Sequence, residues 1–597
     1  MSNSFSQIFD EQIWDDIEPA ASAPVPPDWF EEAAYLEANP DVATAVAQFK
    51  LKSGYYHYVR QGWAEKRPLF PVGGEPRGRL IHTLAESVAP TGATTTAPQV
   101  SLEALLISPT GGILIVGWLD DVLTPLDHIR IAGPGWFYTF DAASVVRFRR
   151  GDVEAALGSS RSHGFGFLAF CFADIALDVA GACDLIIVTK GGGQSNVAYT
   201  PRRVDDVDLR NVVLTYVAES EFFGNRQIEA MRALDGPLGR QIISHNLRIT
   251  RNVVAGAYVE RFGPRPKTLR GSIIVCLYGK PEYLFLQNAL FAGCPGFEDY
   301  ELIYISNSPE MSERLLKEAR TAQQVYGLPQ TIVLLPGNAG FGAANNVAVN
   351  YAASDRLLIV NPDVFPRDHD WAQKHTAVVD NLPSSQTKIF GIPMYYDDGS
   401  LMHGGMYFES DTGVSLDAGR VSQRHMLRVE HYGKGAPVWA SQFTRPRPIQ
   451  AVTGAFISLD RAWFEGLGGF TENYVFGHYE DADLCLKSIQ KGTPPWIHDI
   501  RMWHLEGKGS TRLPVHEGGS LVNRWLFTNT WSDFIAGGLY GSEPASPMFH
   551  DPGPQGVIPR AMALTVIDPP VAADPRAAPP PVVASRPKPR SHGKHAS

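Results

Sequence analysis

The sequence predicts an α/β protein whose mostly parallel sheet core is preceded by a small helical module and a β-sandwich-like domain. From Arg270 onward, strand-like runs alternate with helix-like runs, which is typical of parallel strands joined by helical crossovers. Between residues 100 and 200, short β-type runs alternate instead with Gly, Pro and Asp turns, the pattern of a small antiparallel sandwich. The chain has 597 residues, enough for roughly four domain-sized units.

Composition and charge exclude several classes of function. Hydrophobic residues make up 44% of the chain and charged residues 19%, as in ordinary soluble globular proteins. The net charge of −11 leaves no global positive field, so nucleic acid is not expected as a main partner. Five cysteines without a CxxC pair indicate a reduced protein that has neither a disulfide framework nor a structural zinc site.

The N-terminus and the apolar runs predict a cytoplasmic protein. The first residues are acidic and lack the basic-then-apolar order of a secretory signal. The most apolar region, residues 165–189, is interrupted by Asp174, Asp178 and Asp184, so no membrane-spanning segment is predicted. Peripheral association with the inner face of the membrane stays open.

Shifts in composition divide the chain into seven segments. They are a flexible leader (1–27), a small helical module (28–75), a linker (76–98), a β-sandwich-like accessory domain (99–202), a helical connector (203–268), the main α/β domain (269–540) and a disordered Pro/Ala-rich tail (541–597). Within the module, Asn39-Pro40 and Ser53-Gly54 are predicted to separate two or three short helices. The module ends in HYxxxGxxE and resembles one found in bacterial cell-envelope proteins, a likeness that implies no chemistry.

Aromatic residues in the sandwich-like segment have two interpretations. They are Trp118, Trp136, Phe137 and Tyr138. Flat rings of this kind stack on sugar faces, which would make a carbohydrate platform, but packing in the sheet core is the favoured interpretation.

The main domain begins with β-α repeats. Strands are predicted at 272–278, 301–306, 331–336 and 356–360, and helices at 281–292, 311–326 and 340–353. In such a sheet, ligands bind at the carboxyl ends of the strands.

A carboxylate follows the last of these strands. The strand runs into Asn361-Pro362-Asp363, which puts Asp363 at its carboxyl end. A hard divalent cation there would take oxygen ligands from a carboxylate and from phosphates. The alternative is that Asn-Pro-Asp is only a type I turn.

Two further segments carry polar candidates. Glu480 and Asp481 are predicted in the first turn of a helix, where the helix dipole favours ionised carboxylates and one of them can act as a general base. Simple helix capping by acids is the alternative. A strand predicted at 496–503 ends at His504, whose imidazole can complete a metal site with Asp363 or be purely structural.

The turn at residues 337–346 opens a helix after a strand. It lacks the GxGxxG order, which excludes a dinucleotide-binding Rossmann motif, but its glycines would let a bulky ligand approach the helix N-terminus. No P-loop, GxSxG or HExxH pattern is present, so P-loop, α/β-hydrolase and zincin chemistries are not expected.

In their joint order, these segments resemble a known family. They are SIIVCLYGKPEYL, ELIYISNS, NAGFGAANNVAV, LLIVNPDV, VTGAF, GGFTENYVFGHYEDADLCLKSIQKG and WHLEGKGS. Residues 271–531 resemble the family-2 type of inverting glycosyltransferases with the GT-A fold, nearest to the rhamnosyltransferase-like and galactofuranosyltransferase-like branch. The resemblance implies a nucleotide-sugar donor, a divalent cation (Mn²⁺ or Mg²⁺) that bridges its diphosphate, and single-displacement transfer to a hydroxyl.

The resemblance also implies roles for individual residues. Asp363 and His504 match the metal ligands, Asp481 matches the base of the ED motif, and Glu480 is the other acid of that motif. The positions implied to bind the donor are Leu277, Tyr278, Asn307, Asn338, Gly340, Gly342, Asn346 and Asn361. Ser306 and Cys276-Leu277 depart from the family pattern, which leaves the preferred nucleotide base undetermined.

The resulting hypothesis is a metal-dependent inverting glycosyltransferase of cell-envelope polysaccharide or exopolysaccharide synthesis. It would move a hexose or deoxyhexose from a UDP- or dTDP-linked donor to a glycan or lipid-linked glycan. The segment Leu521-Val522-Asn523-Arg524-Trp525 lacks the QxxRW motif expected of a processive synthase, so a non-processive enzyme is predicted.

Two other functions were weighed. A catalytically inactive carbohydrate-binding or scaffold protein on the same fold is the alternative, and a nucleotidyltransferase is disfavoured because no early Gly-rich loop with Arg and Lys follows the first strand. Residues 384–450, with Tyr395, Tyr396, His403 and Trp439, are candidates for the acceptor side. Donor sugar, acceptor, linkage and oligomeric state are not determined by these patterns.

Overall fold

The computed structural model describes residues 32–48, 51, 53–57, 67, 97–158, 164–179, 181–219, 226–417, 420–505 and 513–537. The predicted leader, the predicted tail and nearly all of the predicted linker lie outside these residues. Within them, helices and sheets are mixed along the chain, so the predicted α/β class is confirmed.

Three short helices come first: α1 (Glu32–Ala38), α2 (Pro40–Ala47) and α3 (Gly54–His57). The predicted break at Asn39-Pro40 is confirmed, because Pro40 is the first residue of α2, a position where its missing N–H leaves no bond unmade. The second predicted break is also confirmed, since α3 begins at Gly54. The Tyr35 hydroxyl lies 3.0 Å from His57 Nδ1 and links α1 to α3.

Two sheets follow. Their elements are β1 (Gln99–Ile107), β2 (Gly112–Asp120), β3 (Leu126–Gly133), β4 (Trp136–Asp141), β5 (Val145–Phe148), α4 (Gly151–Ala156), β6 (Gly166–Phe172), β7 (Cys183–Thr189), β8 (Gln194–Tyr199) and β9 (Arg202–Arg203). One sheet has the order β5-β6-β2-β1-β9 and the other β4-β3-β7-β8, and the strands pair antiparallel except β1 with β9. The sheets share an apolar cluster in which Trp136 is buried, so this ring belongs to the core.

Three helices cover the outer face of the five-stranded sheet: α5 (Asp206–Glu219), α6 (Arg226–Asp235) and α7 (Pro237–Ala255). Successive residues of β2 therefore enter different clusters, because side chains alternate across a strand. Ile115 packs between the two sheets, whereas Leu114 packs in the cluster that includes Leu214 of α5. This alternation explains why β2 is apolar on both faces.

The remaining strands are β10 (Tyr258–Phe262), β11 (Gly271–Leu277), β12 (Tyr300–Ser306), β13 (Gln330–Leu334), β14 (Arg356–Val360), β15 (Val364–Pro366), β16 (Ile389–Gly391), β17 (Met394–Tyr395), β18 (Leu401–His403), β19 (Met406–Asp417), β20 (Arg420–His431), β21 (Arg447–Pro448), β22 (Phe456–Asp460), β23 (Trp496–Ile497) and β24 (Met502–His504). The remaining helices are α8 (Glu282–Phe291), α9 (Ser312–Tyr326), α10 (Phe341–Val349), α11 (Trp371–Asn381), α12 (Ser384–Thr387), α13 (Arg461–Gly466), α14 (Glu480–Gln490) and α15 (Pro514–Ala536).

A nine-stranded sheet positions the candidate site. Its order is β10-β13-β12-β11-β14-β22-β16-β23-β21. The strands β13, β12, β11 and β14 run parallel, and their alternation with α8, α9 and α10 confirms the predicted β-α repeats to within a few residues at each end. A small sheet, β15-β24-β17-β18, and the hairpin β19-β20 complete this part of the chain.

Two predictions about elements were wrong. The predicted helical connector is helical in α5, α6 and α7, but Tyr258–Phe262 forms β10, an edge strand antiparallel to β13, and its aromatic and β-branched residues (Tyr258, Val259 and Phe262) are types that favour strands. The single strand predicted at 496–503 is two short strands in different sheets. β23 pairs with β16, and the chain then crosses over so that β24 pairs with β15 and β17.

Among the described residues, no helix combines the length and the apolar character needed to cross a bilayer. All five cysteines are free thiols.

Candidate functional site

Asp363 and His504 are brought together by the pairing of two short strands. Val364 of β15 lies opposite His504 of β24, and the Leu505 amide donates to the Asp363 carbonyl oxygen at 3.1 Å. His504 Nε2 lies 3.4 Å from Asp363 Oδ1, and both side chains are buried. A carboxylate and an imidazole, 141 positions apart in sequence (504 − 363), therefore face each other at the carboxyl end of β14.

Asn361-Pro362-Asp363 forms a turn, and a turn at this place is compatible with a ligand role for Asp363, which stays a prediction. The Val364 amide donates to the Asn361 carbonyl oxygen at 3.2 Å, which closes a tight turn. Gln287 Nε2 also donates to this oxygen, at 2.9 Å, and fixes the turn to α8. The turn thus orients the Asp363 side chain toward His504.

The donor atoms here suit a divalent cation that keeps open positions. Asp363 offers carboxylate oxygens and His504 an imidazole nitrogen, and no group among the described residues hydrogen-bonds the buried Nδ1 atom of His504. In the part of the chain that the structure describes, no three His, Cys, Asp or Glu side chains cluster closely enough to hold an ion by themselves. Two protein ligands would leave the other positions for ligand oxygens.

Asp481 lies in the first turn of α14, as predicted, and is fixed by two amides. Gly454 N donates to Asp481 Oδ2 at 2.7 Å, and Ala482 N donates to Asp481 Oδ1 at 2.8 Å. The neighbouring residue Ala455 accepts the Asn361 amide at 2.9 Å through its carbonyl oxygen. Two consecutive residues, Gly454 and Ala455, therefore connect the carboxylate of α14 to the turn that carries Asp363.

The two acids of α14 differ in environment. Burial, together with the charge of Asp481, raises the pKa of Glu480 to about 8, and Glu480 Oε2 has no hydrogen-bond partner. Burial also raises the pKa of Asp481, but its bonds to the amides of Gly454 and Ala482 oppose that rise. Asp481 therefore ionises first, and Glu480 keeps its proton near neutral pH.

Gly454 is a site residue for which sequence reasoning assigned no role. A Cβ at this position would lie 3.2 Å from Phe341 Cε1 and 3.6 Å from Asp481 Cβ. A Cβ here would crowd the Phe341 ring, so glycine lets the backbone pass between this ring and Asp481 without displacing either. The one signal in the sequence was the VTGAF segment, which marked the position through the family resemblance alone.

The residues that precede Glu480 form a strained turn that the sequence did not reveal. Phe476, His478 and Tyr479 have φ of 60°, 84° and 77°, a left-handed conformation that costs a non-glycine residue about 1 to 3 kcal/mol. Backbone strain of this kind gathers at functional sites. Of the three residue types, only histidine is enriched in this conformation, so the composition carried almost no signal for the turn.

The predicted donor-binding positions at the ends of β11 and β12 differ in burial: Tyr278 is half-buried, whereas Leu277 and Asn307 are buried. Tyr278 follows β11, and its hydroxyl lies 3.4 Å from His516 Nε2. Burial raises the pKa of Tyr278, and a hydrogen bond with Asn338 partly opposes that rise. The Leu277 side chain, in contrast, is fully buried in the core. Asn307 is also buried, and its Nδ2 donates to the Gly340 carbonyl oxygen at 3.2 Å while its Oδ1 accepts the Ala339 amide at 3.1 Å.

The remaining predicted positions on the 337–346 turn pack against other motifs. Gly340 has φ of 83°, and a Cβ there would lie 2.9 Å from the Phe476 carbonyl oxygen. Gly342 approaches Phe470, since its Cβ would lie 3.3 Å from Phe470 Cβ. Asn346 Nδ2 donates to the Phe470 carbonyl oxygen at 2.9 Å and to Glu472 Oε1 at 3.0 Å. The close contacts of the two glycines and the hydrogen bonds of Asn346 set the distance between α10 and the residues that lead to α14.

The candidate acceptor residues differ in the exposed fraction of their side chains. Tyr395 and His403 are fully buried, whereas Trp439 is 79% exposed. Tyr396 is half-buried, so Trp439 has the most exposed ring of the group.

Comparison with known proteins gives one curated relative and several structural neighbours. No family model matches the chain. Over 215 residues it is 26% identical to the uncharacterized protein y4gI of Sinorhizobium fredii (strain NBRC 101917 / NGR234), a match that covers 35% of this chain and 22% of that protein. The chain thus spans less than a quarter of the length of this relative.

Several solved structures match the chain at low similarity, and one of them is a mannosyltransferase. The mannosyltransferase PcManGT from Pyrobaculum calidifontis, in complex with GDP-Man and Mn²⁺, is 14% identical, with a TM-score of 0.28 over 50% of this chain and 84% of that one. GalNAc-T7 with UDP, GalNAc and Mn²⁺ is 13% identical, with a TM-score of 0.28 over 47% and 52% of the two chains. S. aureus TarS 1-349 is 14% identical, with a TM-score of 0.27 over 45% and 74%. Scores of this size do not establish a common fold.

Proposed function

We propose that the protein is a metal-dependent inverting glycosyltransferase with a GT-A-type core, acting non-processively in the cytoplasm. The observation that carries the proposal is the link through Gly454 and Ala455, whose backbone groups bond Asp481 and Asn361. It joins a candidate base to a candidate cation site at the carboxyl end of β14, where ligands of such sheets bind. The joint order of the sequence motifs supports the same reaction.

Asp363 and His504 would hold the divalent cation. When bound, such a cation neutralises charge on a departing diphosphate. The chain itself fixes the two ligands, because Gln287 anchors the turn before Asp363 and the pairing of β15 with β24 sets the position of His504. Tyr278 follows β11 and is hydrogen-bonded to Asn338, which lies in the turn after β13, and both would contact the nucleotide.

Asp481 would remove the proton from the acceptor hydroxyl. Asp481 lies in the first turn of α14, where the helix dipole favours its ionised form. The amides of Gly454 and Ala482 hold its carboxylate in place. Attack from the face opposite the leaving diphosphate inverts the anomeric centre. Glu480, protonated beside it, adds no second negative charge that would repel the departing group.

The donor would be UDP- or dTDP-linked, and the acceptor a glycan or lipid-linked glycan of a cell-envelope polysaccharide or exopolysaccharide. The exposed Trp439 suits the acceptor side, because an aromatic face stacks on a sugar ring. The likeness of the helical module to cell-envelope proteins supports this assignment of pathway.

The proposal is tested by incubating the protein with Mn²⁺ or Mg²⁺ and a panel of UDP-, dTDP- and GDP-sugars. Release of nucleoside diphosphate and the donor-induced shift in melting temperature are both measured. Asp481→Asn is expected to lose release by about 100-fold or more while keeping the thermal shift, because the base acts on the acceptor. Asp363→Ala is expected to lose both, because it removes one of the two residues that would hold the cation needed for the donor diphosphate.

Exposed Asp380→Asn serves as the matched control and is expected to retain both signals. Full activity in Asp363→Ala or Asp481→Asn would contradict the proposal. Absence of release and of a thermal shift across the whole panel would favour the inactive carbohydrate-binding protein instead.

A further inference from the structure

The strained turn at 476–479 is held from outside by a buried amide. Asn523 lies on α15 and is fully buried. Its Nδ2 donates to the carbonyl oxygens of Val475 at 2.9 Å, Gly477 at 2.7 Å and His478 at 3.3 Å. Its Oδ1 accepts the Val475 amide at 2.6 Å. One side chain thus bonds four backbone groups in and beside the turn, which accounts for its complete burial.

A second support comes from α5, which precedes the predicted catalytic domain. The guanidinium carbon of Arg210 lies 4.5 Å from the centre of the Phe476 ring. Arg210 is only 4% exposed, and its Nη1 donates to Asn246 Oδ1 at 3.0 Å. Its Nε and Nη2 donate to Asn211 Oδ1 at 3.3 and 3.2 Å.

The partners of Arg210 are unusual for a buried cation. Among the residues the structure describes, no carboxylate forms an ion pair with Arg210, and amide oxygens and the Phe476 ring take that place. Burial lowers the pKa of Arg210 to about 10, so the group is still charged at neutral pH. The charge of Asp205 opposes this lowering without forming an ion pair. A buried charge that lacks a direct ion pair is costly unless its position serves something else. Here the charge lies against the face of Phe476, a favourable cation–π geometry.

The 476–479 turn contacts two elements that hold Asp481: the Phe341–Gly454 contact and the first turn of α14. The Phe341 amide donates to the Phe476 carbonyl oxygen, and the Phe341 ring lies beside Gly454, which bonds Asp481. On the other side, Tyr479 directly precedes Glu480, and the Asp483 amide donates to the Tyr479 carbonyl oxygen at 2.9 Å. A shift of the turn would therefore move the first turn of α14, and with it Asp481.

We infer that Arg210 and Asn523 are positioning residues for glycosyl transfer: they hold the strained 476–479 turn so that Asp481 points at the acceptor hydroxyl. The inference rests on the proposed function. It also makes α5 part of the reaction machinery, although α5 lies before the predicted catalytic domain.

The test compares turnover in the full-length protein, with the donor that the wild type uses. Arg210→Met keeps the aliphatic stem and removes the cation, and Asn523→Ala removes the four backbone bonds. Each is expected to lower kcat by about 100-fold, as small misplacements of a catalytic group do. The donor KM is expected to change much less than kcat: the charge of Arg210 also acts on Tyr278, but in the described part of the chain neither Arg210 nor Asn523 hydrogen-bonds a proposed donor-binding residue. Arg210→Lys, which keeps a cation over Phe476, is expected to recover part of kcat.

Two matched controls separate positioning from general loss of stability. Arg356 is a buried arginine 4.9 Å from the Phe390 ring, and Asn288 is a fully buried asparagine whose Nδ2 donates to the Leu284 carbonyl oxygen at 2.9 Å. Arg356→Met and Asn288→Ala are expected to lower the melting temperature but to retain kcat in the folded fraction.

Wild-type kcat in Arg210→Met and Asn523→Ala would overturn the inference, as would an equal loss in the controls or a loss confined to the donor KM. Should Asn523→Ala not fold, Arg210→Met and Arg210→Lys decide. If the wild type turns over no donor, the proposed function fails first, so the two failures are distinguishable.

Discussion

At the scale of single residues, the pair Glu480 and Asp481 decides how the site responds to pH. An unfolded glutamate ionises near pH 4.5, whereas burial and the charge of Asp481 raise the pKa of Glu480 in the folded protein to about 8. Between these values the unfolded chain has lost the proton that the folded protein keeps. The free energy of unfolding therefore falls as the pH rises through this window.

Glu480→Gln is expected to remove that dependence. Glutamine has no proton to lose, so the variant should gain stability relative to the wild type as the pH rises from 5 to 8. A pKa difference of one between folded and unfolded states is worth about 1.4 kcal/mol, so the relative gain is on the order of a few kcal/mol. Chemical denaturation across this pH range measures it.

Exposed Glu298→Gln is the control for this measurement and should follow the wild type. A constant difference between Glu480→Gln and the wild type at every pH would show that Glu480 is ionised throughout, which contradicts the assignment.

Sequence reasoning was strong for some residues of the site and silent for others. Asp363 and His504 follow strands, and Asp481 opens a helix, so chemistry and local pattern coincide at these positions. Arg210 lies in a segment whose pattern predicts only a helix, and its closeness to Phe476 depends on how α5 packs. No local pattern encodes that contact, so it was missed.

At the scale of elements, the contact between α5 and α15 is unusually close. α15 contains the adjacent glycines Gly518 and Gly519, which lower helix propensity. Tertiary packing explains them. A Cβ on Gly518 would lie 2.7 Å from the Leu214 carbonyl carbon of α5, and one on Gly519 would lie 3.1 Å from Phe476 Cδ2. The glycines let α15 lie against α5 on one side and the strained turn on the other.

Gly518→Ala is therefore expected to destabilise the protein, opposite to the usual effect. In an exposed helix interior this change stabilises by about 1 kcal/mol. Here the methyl group meets backbone that cannot move aside, so a loss of about 1 to 3 kcal/mol is expected. Thermal or denaturant melting measures the difference.

Gly466→Ala is the comparison, because a Cβ at that position meets no atom within 4 Å. It should be neutral or slightly stabilising. A Gly518→Ala variant as stable as the wild type would show that α5 and α15 do not pack this closely in solution.

The elements that the sequence predicted share a physical origin. The β-α repeats have long apolar runs bounded by turns. Their alternation along the chain predicts that the strands pair in parallel, as they do. By contrast, β10, β23 and β24 are two to five residues long. Such short strands are defined by their partners in the sheet, and periodicity over so few residues does not distinguish them from adjacent helix or loop.

At the scale of the whole molecule, one apolar cluster crosses the predicted segment boundaries. It contains Leu114 of the five-stranded sheet, Leu214 and Ile242 of the helices that follow, and Val475 and Trp525 of the main α/β part. Polar contacts reinforce it, since Trp525 Nε1 donates to Asp235 Oδ1 at 3.0 Å and Arg424 pairs with Asp235 Oδ2 at 2.6 Å. The boundaries drawn from composition remain a prediction, but this cluster couples the segments energetically.

A fragment of residues 269–540 is therefore expected to be unstable on its own. Removing α5, α6 and α7 would expose Val475, Val522 and Trp525, all of which are buried in the full chain, and each large apolar side chain returned to water costs about 1.5 to 3 kcal/mol. The fragment would also lose β10, the edge strand paired with β13, and Arg210 with its contact to Phe476. Calorimetry of the full chain should show the five-stranded sheet and residues 205–537 melting in one cooperative transition, because the cluster they share cannot open on one side only. A fragment that begins at residue 205 retains the three helices and β10, so it should melt at a higher temperature than the 269–540 fragment. If the 269–540 fragment melted at the same temperature as the full chain and turned over donor at the same rate, neither the coupling through this cluster nor a role for α5 in catalysis would stand.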